Sequence, residues 1–462
     1  MNRRTFAASL TAVAAAHAQA GGSGAIYLGS GTKAGEIRDT SAILHVRLTK
    51  TPGQDGAGLI PGAKGQVRVR YGIGPEMRNA ATTQVVEVGA GSDYSTQFPL
   101  RNLRPATRYY YVAEYRASKS GRFETSRTFS FPTAPPPQQR QPVKFQVTTG
   151  QDIRGESTYA SMEAQKPHFL VATGDNVYYD GQGNAHTVEE AYQAYQKMYG
   201  LPLMKRYYEH IGGYFEKDDH DYRFNDSDRW QKFPGGDGGR AVNSPRARQR
   251  WLTHEEGILV FKQVFPMSDL TYRTFRWGKG VQIWLLEGRD FRSPNNATDG
   301  PEKTIWGPAQ KAWLKQTLLS SDADWRVVIS PTPIIGPDRS TKTDNHANRN
   351  GFWREGQEFL DWLRDERLPN AILICGDRHW QYHSLDQRQG RKIHEFSCGP
   401  TCDEHTQKVP PIGPEFEGVT QPYAASIGGF LTVSYRPDRT LTFAFYDAKG
   451  KEVYRRAFAP GS

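Results

Sequence analysis

The chain has 462 residues, 37% of them hydrophobic and 12% aromatic, with 46 Gly and 29 Pro. This composition argues against a helical bundle and favours a loop-rich, strand-rich globular protein of two or three domains. Formal net charge is +10, but no run of five or more Lys or Arg occurs; a dispersed basic surface steers small anionic substrates, and no stable nucleic-acid partner is expected.

Residues 1–20 read as a targeting segment. Asn2-Arg3-Arg4-Thr5-Phe6 is a twin-arginine pattern, Ala7 to Ala16 is weakly apolar, and Ala18-Gln19-Ala20 is a small-x-small cleavage site. Spanning a membrane takes about 20 apolar residues, so this stretch is no transmembrane segment. The expected partner is the twin-arginine export machinery, and the expected location is periplasmic or extracellular. Without Arg3 and Arg4 the formal charge is +8.

Residues 21–137 read as an all-β domain. Ser41 to Leu48, Gly65 to Tyr71 and part of Arg108 to Tyr115 alternate apolar and polar side chains. Leu103 to Tyr109 resembles the tyrosine-corner segment of fibronectin type III domains, where a Tyr hydroxyl bonds back to nearby backbone. Thr133 to Gln139, with three consecutive prolines, is a linker.

A second domain, residues 143–462, alternates strands and helices. Strands are predicted at Val143 to Thr148, Phe169 to Thr173, Gly212 to Glu216, Val281 to Leu286 and Val327 to Ser330. Helices are predicted at Ser157 to Gln165, from Gly307-Pro308 onward, and at Trp353 to Arg364; Pro suits a helix's first turn. Phe430 to Tyr435 and Leu441 to Tyr446 read as a hairpin around Pro437-Asp438-Arg439. Ser227 to Arg248 reads as a long loop of the kind that forms lids or substrate walls.

Three acidic motifs follow apolar runs: Gly174 to Asp180, Asp218-Asp219-His220-Asp221, and Gly376-Asp377-Arg378-His379. Carboxylates and imidazoles at successive strand ends set metal ligands along one rim of a sheet. Such a rim suits a hydrolase of phosphate esters with two or more metal ions. Asp175 can bridge two cations, and Tyr178 can offer a phenolate to a trivalent metal. Asp219 is the preferred ligand of the second motif, because three carboxylates in four residues repel unless a cation holds them. His220 can give a hydrogen bond or proton to the phosphate or leaving oxygen. Asn225 and Asp226 can add oxygen ligands suited to calcium. Asp377 and His379 can reach one metal site, and His383 reads as a surface residue in preference to a support behind the ligands. Arg289 can neutralise phosphate bidentately or form a structural salt bridge. Cys398 and Cys402 are able to pair in an oxidising compartment, while Cys375 reads as a buried strand residue.

Together, the order and spacing of the motifs resemble PhoD-like alkaline phosphatases, within the metallophosphoesterases. The family pattern is Gly-Asp-x-x-Tyr, Asp-Asp-His-Glu/Asp and Gly-Asp-x-His. Leu286 to Arg292 and Glu395 to Pro400 are also similar to family stretches. The resemblance implies a metallophosphoesterase-like β-sandwich flanked by helices, an α/β (α+β) fold, behind the fibronectin-like domain. It implies an exported phosphomonoesterase, or a phosphodiesterase or phospholipase D-like hydrolase, acting with calcium and iron. The family has Ser-Cys-Gln, with a ferric-iron Cys ligand, where this chain has Thr149-Gly150-Gln151. Asp152 or a water is then expected to fill that position, unless the trivalent site itself is changed. The competing reading is a surface binding protein with an inactive hydrolase domain.

Overall fold

The computed structural model describes residues 24–181, 184–234, 245–368 and 370–459. The twin-arginine pattern, the cleavage site and the Gly-rich centre of the 227–248 loop lie outside them.

Two mixed sheets stack face to face. The first has nine strands, in the order Glu452–Phe458, Leu441–Asp447, Gly429–Tyr435, Val143–Thr148, Phe169–Thr173, Gly212–Glu216, Thr32–Gly35, Ala42–Arg47 and Ser95–Leu100. The second has seven, in the order Arg273–Trp277, Val281–Leu285, Trp325–Ser330, Ala371–Cys375, Ile393–Cys398, Gln381–Asp386 and Val419–Ala425. The central strands of each sheet run parallel, and Phe169–Thr173 and Trp325–Ser330 are buried along their whole length, as expected of strands covered on both faces. One continuous core fills the space between the sheets, with Phe145, Phe169 and Val171 facing Ile283, Val327 and Phe396.

Helices cover both outer faces. Thr158–Ala164, Val188–Tyr199, Pro202–Tyr208 and His254–Val264 pack on Leu170, Ala172 and Phe215 of the first sheet. Gly307–Ser320 and Trp353–Asp365 pack on Trp284, Val328 and Leu373 of the second. The helices Val188–Tyr199 and His254–Val264 each open with a Thr-Glu capping box, at Thr187/Glu190 and Thr253/Glu256. This is the β-sandwich flanked by helices that the motifs implied.

The front of the chain joins this body. Thr32–Gly35 pairs parallel with Gly212–Glu216, and Ala42–Arg47 and Ser95–Leu100 extend the same sheet. The remaining front strands form a six-stranded antiparallel sheet centred on Gly65–Gly72 and Arg108–Arg116. There Arg104 N–H donates to the Tyr109 hydroxyl at 2.9 Å, the backbone bond of a tyrosine corner. The proline segment lies against the turn at Gly278, whose N–H bonds to the Pro135 carbonyl.

One open pairing is decided and one expectation is corrected. Cys398 and Cys402 are free thiols: Cys398 ends its strand within the inter-sheet core, and Cys402 leads into the 403–405 turn. His383 is buried, bonded to Tyr454 and His394, because its strand lies inside the second sheet. Among the described residues, no helix is long and apolar enough to cross a membrane.

Candidate metal centre

The acidic motifs converge where the two sheets meet at the carboxyl ends of their parallel strands. Glycines permit this approach. A Cβ on Gly174 would lie 2.5 Å from the Asp218 Cβ, and one on Gly376 would lie 2.2 Å from the Thr173 carbonyl oxygen. The chain then turns sharply: Asp175 has φ +52° and Asp377 φ +59°, left-handed values that Asp tolerates better than most residues. Backbone strain of this kind at two strand ends is a mark of functional sites.

The first motif is held to the second through Asp221. Its carboxylate accepts from Asn176 Nδ2 at 2.6 Å, from Asn176 N–H at 3.1 Å and from Asp218 N–H at 2.7 Å. Burial, then the charge of Asp175, pushes Asp221 up to about 7. Of the four residues in that motif, Asp221 is therefore a brace.

Three overlapping groups of carboxylate and imidazole atoms lie close enough to hold cations. They are Asp175, Asp219 and His220; Asp218, Asp219 and Asp377; and Asp219, Asp226 and Asp344. Asp219 belongs to all three. Burial would raise its pKa, but His220, Arg289 and Lys342 together hold it well below the ordinary carboxylate range. Asp218 is pushed well above that range by burial. Asp175 Oδ1 and Asp218 Oδ2 are buried without a hydrogen-bond partner. Orphaned carboxylate oxygens are costly in a protein interior, and a bound cation would satisfy them. The residues present therefore fit a metal centre of hard oxygen ligands with borderline imidazole.

Tyr178 and His379 stand at the Asp175 end. The Tyr178 hydroxyl donates to Asp175 Oδ2 at 3.0 Å, with His379 Nε2 3.4 Å from the hydroxyl and 3.8 Å from Asp175 Oδ2. His379 Nδ1 bonds to the His405 carbonyl at 2.8 Å, an arrangement that leaves Nε2 free to accept. His220 stacks on the other side, its ring 4.4 Å from that of Tyr178. Its Nδ1 bonds to Asp180, and its Nε2 lies 4.0 Å from Asp219 Oδ2. Burial would lower the His220 pKa, but Asp219, Asp175 and Asp180 overcome that and keep it protonated well above its usual value.

The other candidates stand around this cluster in different ways. Arg289 is fully buried: Nε and Nη2 bind Asp218 at 2.7 and 2.6 Å, Nη1 the Ser227 carbonyl, and Nη2 also Asp344 at 3.3 Å. Of its two readings, the geometry matches the structural salt bridge, with donors spent on carboxylates. Asn225 is exposed, and its N–H donates to Asp180; the neighbouring Asp226 joins Asp219 instead. Asp152 is paired with Arg154 at 2.7 Å and lies 3.9 Å from His405 Nδ1.

Asp344, Lys342 and His405 were not singled out from sequence. Lys342 pairs with Asp226 and lies 3.8 Å from Asp344. His405 packs its ring 4.3 Å from His379 and 4.8 Å from Tyr178, and its Nδ1 bonds to the Gly150 carbonyl. All three sit in loops, without the apolar run that marked the other motifs; only their ligand-type side chains were a signal.

Comparison with known proteins agrees with this geometry. The description "PhoD-like phosphatase" matches residues 145–415, and "PhoD-like phosphatase, N-terminal domain" matches residues 14–132. Alkaline phosphatase D of Bacillus subtilis (strain 168) is 24% identical over 135 residues, covering 24% of this chain. The chain spans 22% of the length of that curated relative. The solved structure of PhoD superposes with a TM-score of 0.74 at 16% identity, covering 94% of this chain and 90% of its own. A purple acid phosphatase from yellow lupin (Lupinus luteus) seeds gives 0.58 at 11% identity, over 93% and 74% of the two chains. At these identities the structures speak for the fold alone, but the first family description spans more than half of the chain: this protein belongs to the PhoD-like phosphatase family.

Proposed function

We propose that this protein is a metal-dependent phosphoester hydrolase, most closely a phosphomonoesterase of the alkaline phosphatase D kind. The observation that carries the reading is the convergence of Asp175, Asp218, Asp219 and Asp377, with orphaned buried oxygens on Asp175 and Asp218. Asp175, Tyr178, Asp377 and His379 would hold one ion, and Asp219 with Asp226 and Asp344 another, with Asp218 near both. Bound cations would neutralise phosphate charge and supply an activated water.

The chain's own residues do the rest. Asp180 orients His220 and helps keep its proton, so the imidazole can protonate the departing alcohol oxygen. Arg289 and Lys342 offset the carboxylates around Asp219 and fix them in place. Asp221 and Asn176 lock the two motifs in register. The cation set we favour is calcium among the oxygen-rich carboxylates, with iron beside Tyr178 if a trivalent ion is taken up. The Arg3-Arg4 pattern supports export by the twin-arginine route to the periplasm or cell exterior.

Assay of the metal-loaded protein against phosphate mono- and diesters tests the reading. Monoester turnover exceeding diester turnover supports it. Diester preference would make the protein a phosphodiesterase. No turnover of either, with metal bound, would favour a binding protein with an inactive hydrolase domain.

A further inference from the structure

A cleft of about 570 Å³ opens beside the metal centre. Its inner end is formed by Tyr178 and His405, and Tyr178 is bonded to Asp175. Beyond them the walls carry an apolar strip, Val177 from the loop after Asp175, Ala194 and Met198 from the helix Val188–Tyr199, and Ile153 from the turn after Asp152, beside the paired Asp152 and Arg154 and the exposed Lys197. Val177 and Met198 are buried, whereas Ile153 is 57% exposed at the mouth. An exposed Ile lining a cleft that ends at catalytic chemistry has no packing task in the fold. A phosphate group alone is too small to need this space, since small-molecule sites span roughly 300–1,000 Å³.

We propose that this cleft receives the alcohol portion of the phosphate ester and selects aromatic or extended apolar alcohols over small polar ones. The proposal rests on the phosphoester hydrolase reading and names its substrate class. With the phosphate at Asp175, the ester oxygen lies near Tyr178. The alcohol then meets the apolar strip that runs outward along Val177, Met198 and Ala194 to Ile153, with the exposed Arg154 and Lys197 beside it. Desolvating that strip favours an apolar group and leaves a hydroxylated one short of hydrogen bonds.

The test uses the full chain loaded with metal and two non-hydrolysable probes, 1-naphthylmethylphosphonate and methylphosphonate, measured by calorimetry. The proposal expects the naphthyl probe to bind about tenfold more tightly or better, an ordinary yield for an apolar pocket. Ala194→Phe fills the cleft from a half-exposed helix position and should abolish that preference. Ile153→Ser should reduce it several-fold. Equal binding of the two probes by the parent protein, or an unchanged preference in both variants, overturns the proposal. Turnover of 1-naphthyl phosphate and glycerol 3-phosphate is followed in parallel. A probe preference without turnover of either ester would retain the cleft assignment and remove the hydrolase reading; turnover of both without probe preference would do the reverse.

Discussion

His220 Nδ1 lies 2.6 Å from Asp180 Oδ1, joining the last residue of the first acidic motif to the imidazole of the second. The bond fixes the ring so that Nε2 faces Asp219, 4.0 Å away. On the proposed reading, an imidazole held in this way would serve as a proton donor aimed at the carboxylate cluster. His220→Ala is expected to retain metal and lower kcat by roughly 10²–10⁴-fold, the usual worth of a positioned acid. A rise in KM with kcat unchanged would make His220 a binding residue instead.

Asp180→Asn tests the pH side of the same pair. Asp219, Asp175 and Asp180 raise the His220 pKa against the effect of burial, so removing one carboxylate lowers it. The alkaline limb of the kcat–pH profile should move to lower pH. In metal-free protein, the raised pKa means that charged His220 stabilises the fold fully below about pH 6.5, and that this contribution is lost as pH rises through the folded value. Asp180→Asn should shrink that pH-dependent part, which thermal melts across pH can read.

Asp175→Ala should remove metal and nearly all turnover while the fold survives. Its effect on stability should change sign with metal. In the loaded protein it loses ligand-linked stability. In chelated protein it removes a buried carboxylate with an orphaned oxygen, which should stabilise by about 1–3 kcal/mol. Melting curves with and without chelator check this. A chelated variant less stable than its chelated parent would count against the cation-site reading.

Arg289→Met separates two roles. If the guanidinium braces Asp218 and Asp344, its loss leaves buried carboxylates unpaired and costs about 3–5 kcal/mol in urea unfolding. A phosphate-binding Arg would instead give a stable protein with raised KM.

Gly150→Cys places a thiol where family relatives carry one. Gly150 has φ +55°, and an added Cβ would meet Pro400 Cβ at 3.1 Å and lie 3.6 Å from the Tyr178 hydroxyl. The left-handed backbone costs a side chain about 1–2 kcal/mol, so the variant should melt lower. The thiolate would nonetheless sit beside Tyr178 and should strengthen iron retention, read by elemental analysis and by a visible phenolate–iron band. Iron held equally tightly by parent and variant would contradict this.

Much of the frame was legible in the sequence, because buried parallel strands are short apolar runs and each acidic motif directly followed one. Phe169–Thr173 and Gly212–Glu216 were located to the residue for that reason. The helix Val188–Tyr199 was not: its buried face is largely Tyr with a Gln, so hydropathy alone did not mark it. The strand Val419–Ala425 alternates half-buried and exposed positions at a sheet edge and contains a Pro, which masks the pattern. In the site, Asp175, Asp219, Asp377 and His379 stood out in sequence as strand-end candidates, and the structure brings the three carboxylates into overlapping groups. Asp344 and His405 come from loops far along the chain, and only three-dimensional folding shows what they approach. Arg289 had two readings in sequence; its burial among Asp218 and Asp344 favours the brace, and Arg289→Met tests it.

The most direct test of the metal-dependent hydrolase reading is turnover of a simple aryl phosphate by chelated protein, before and after cations are restored, with metal content measured on the same samples. The account predicts negligible turnover without metal, recovery as about two or more ions bind per chain, and no recovery in Asp175→Ala. Full turnover by protein shown to be metal-free would contradict it.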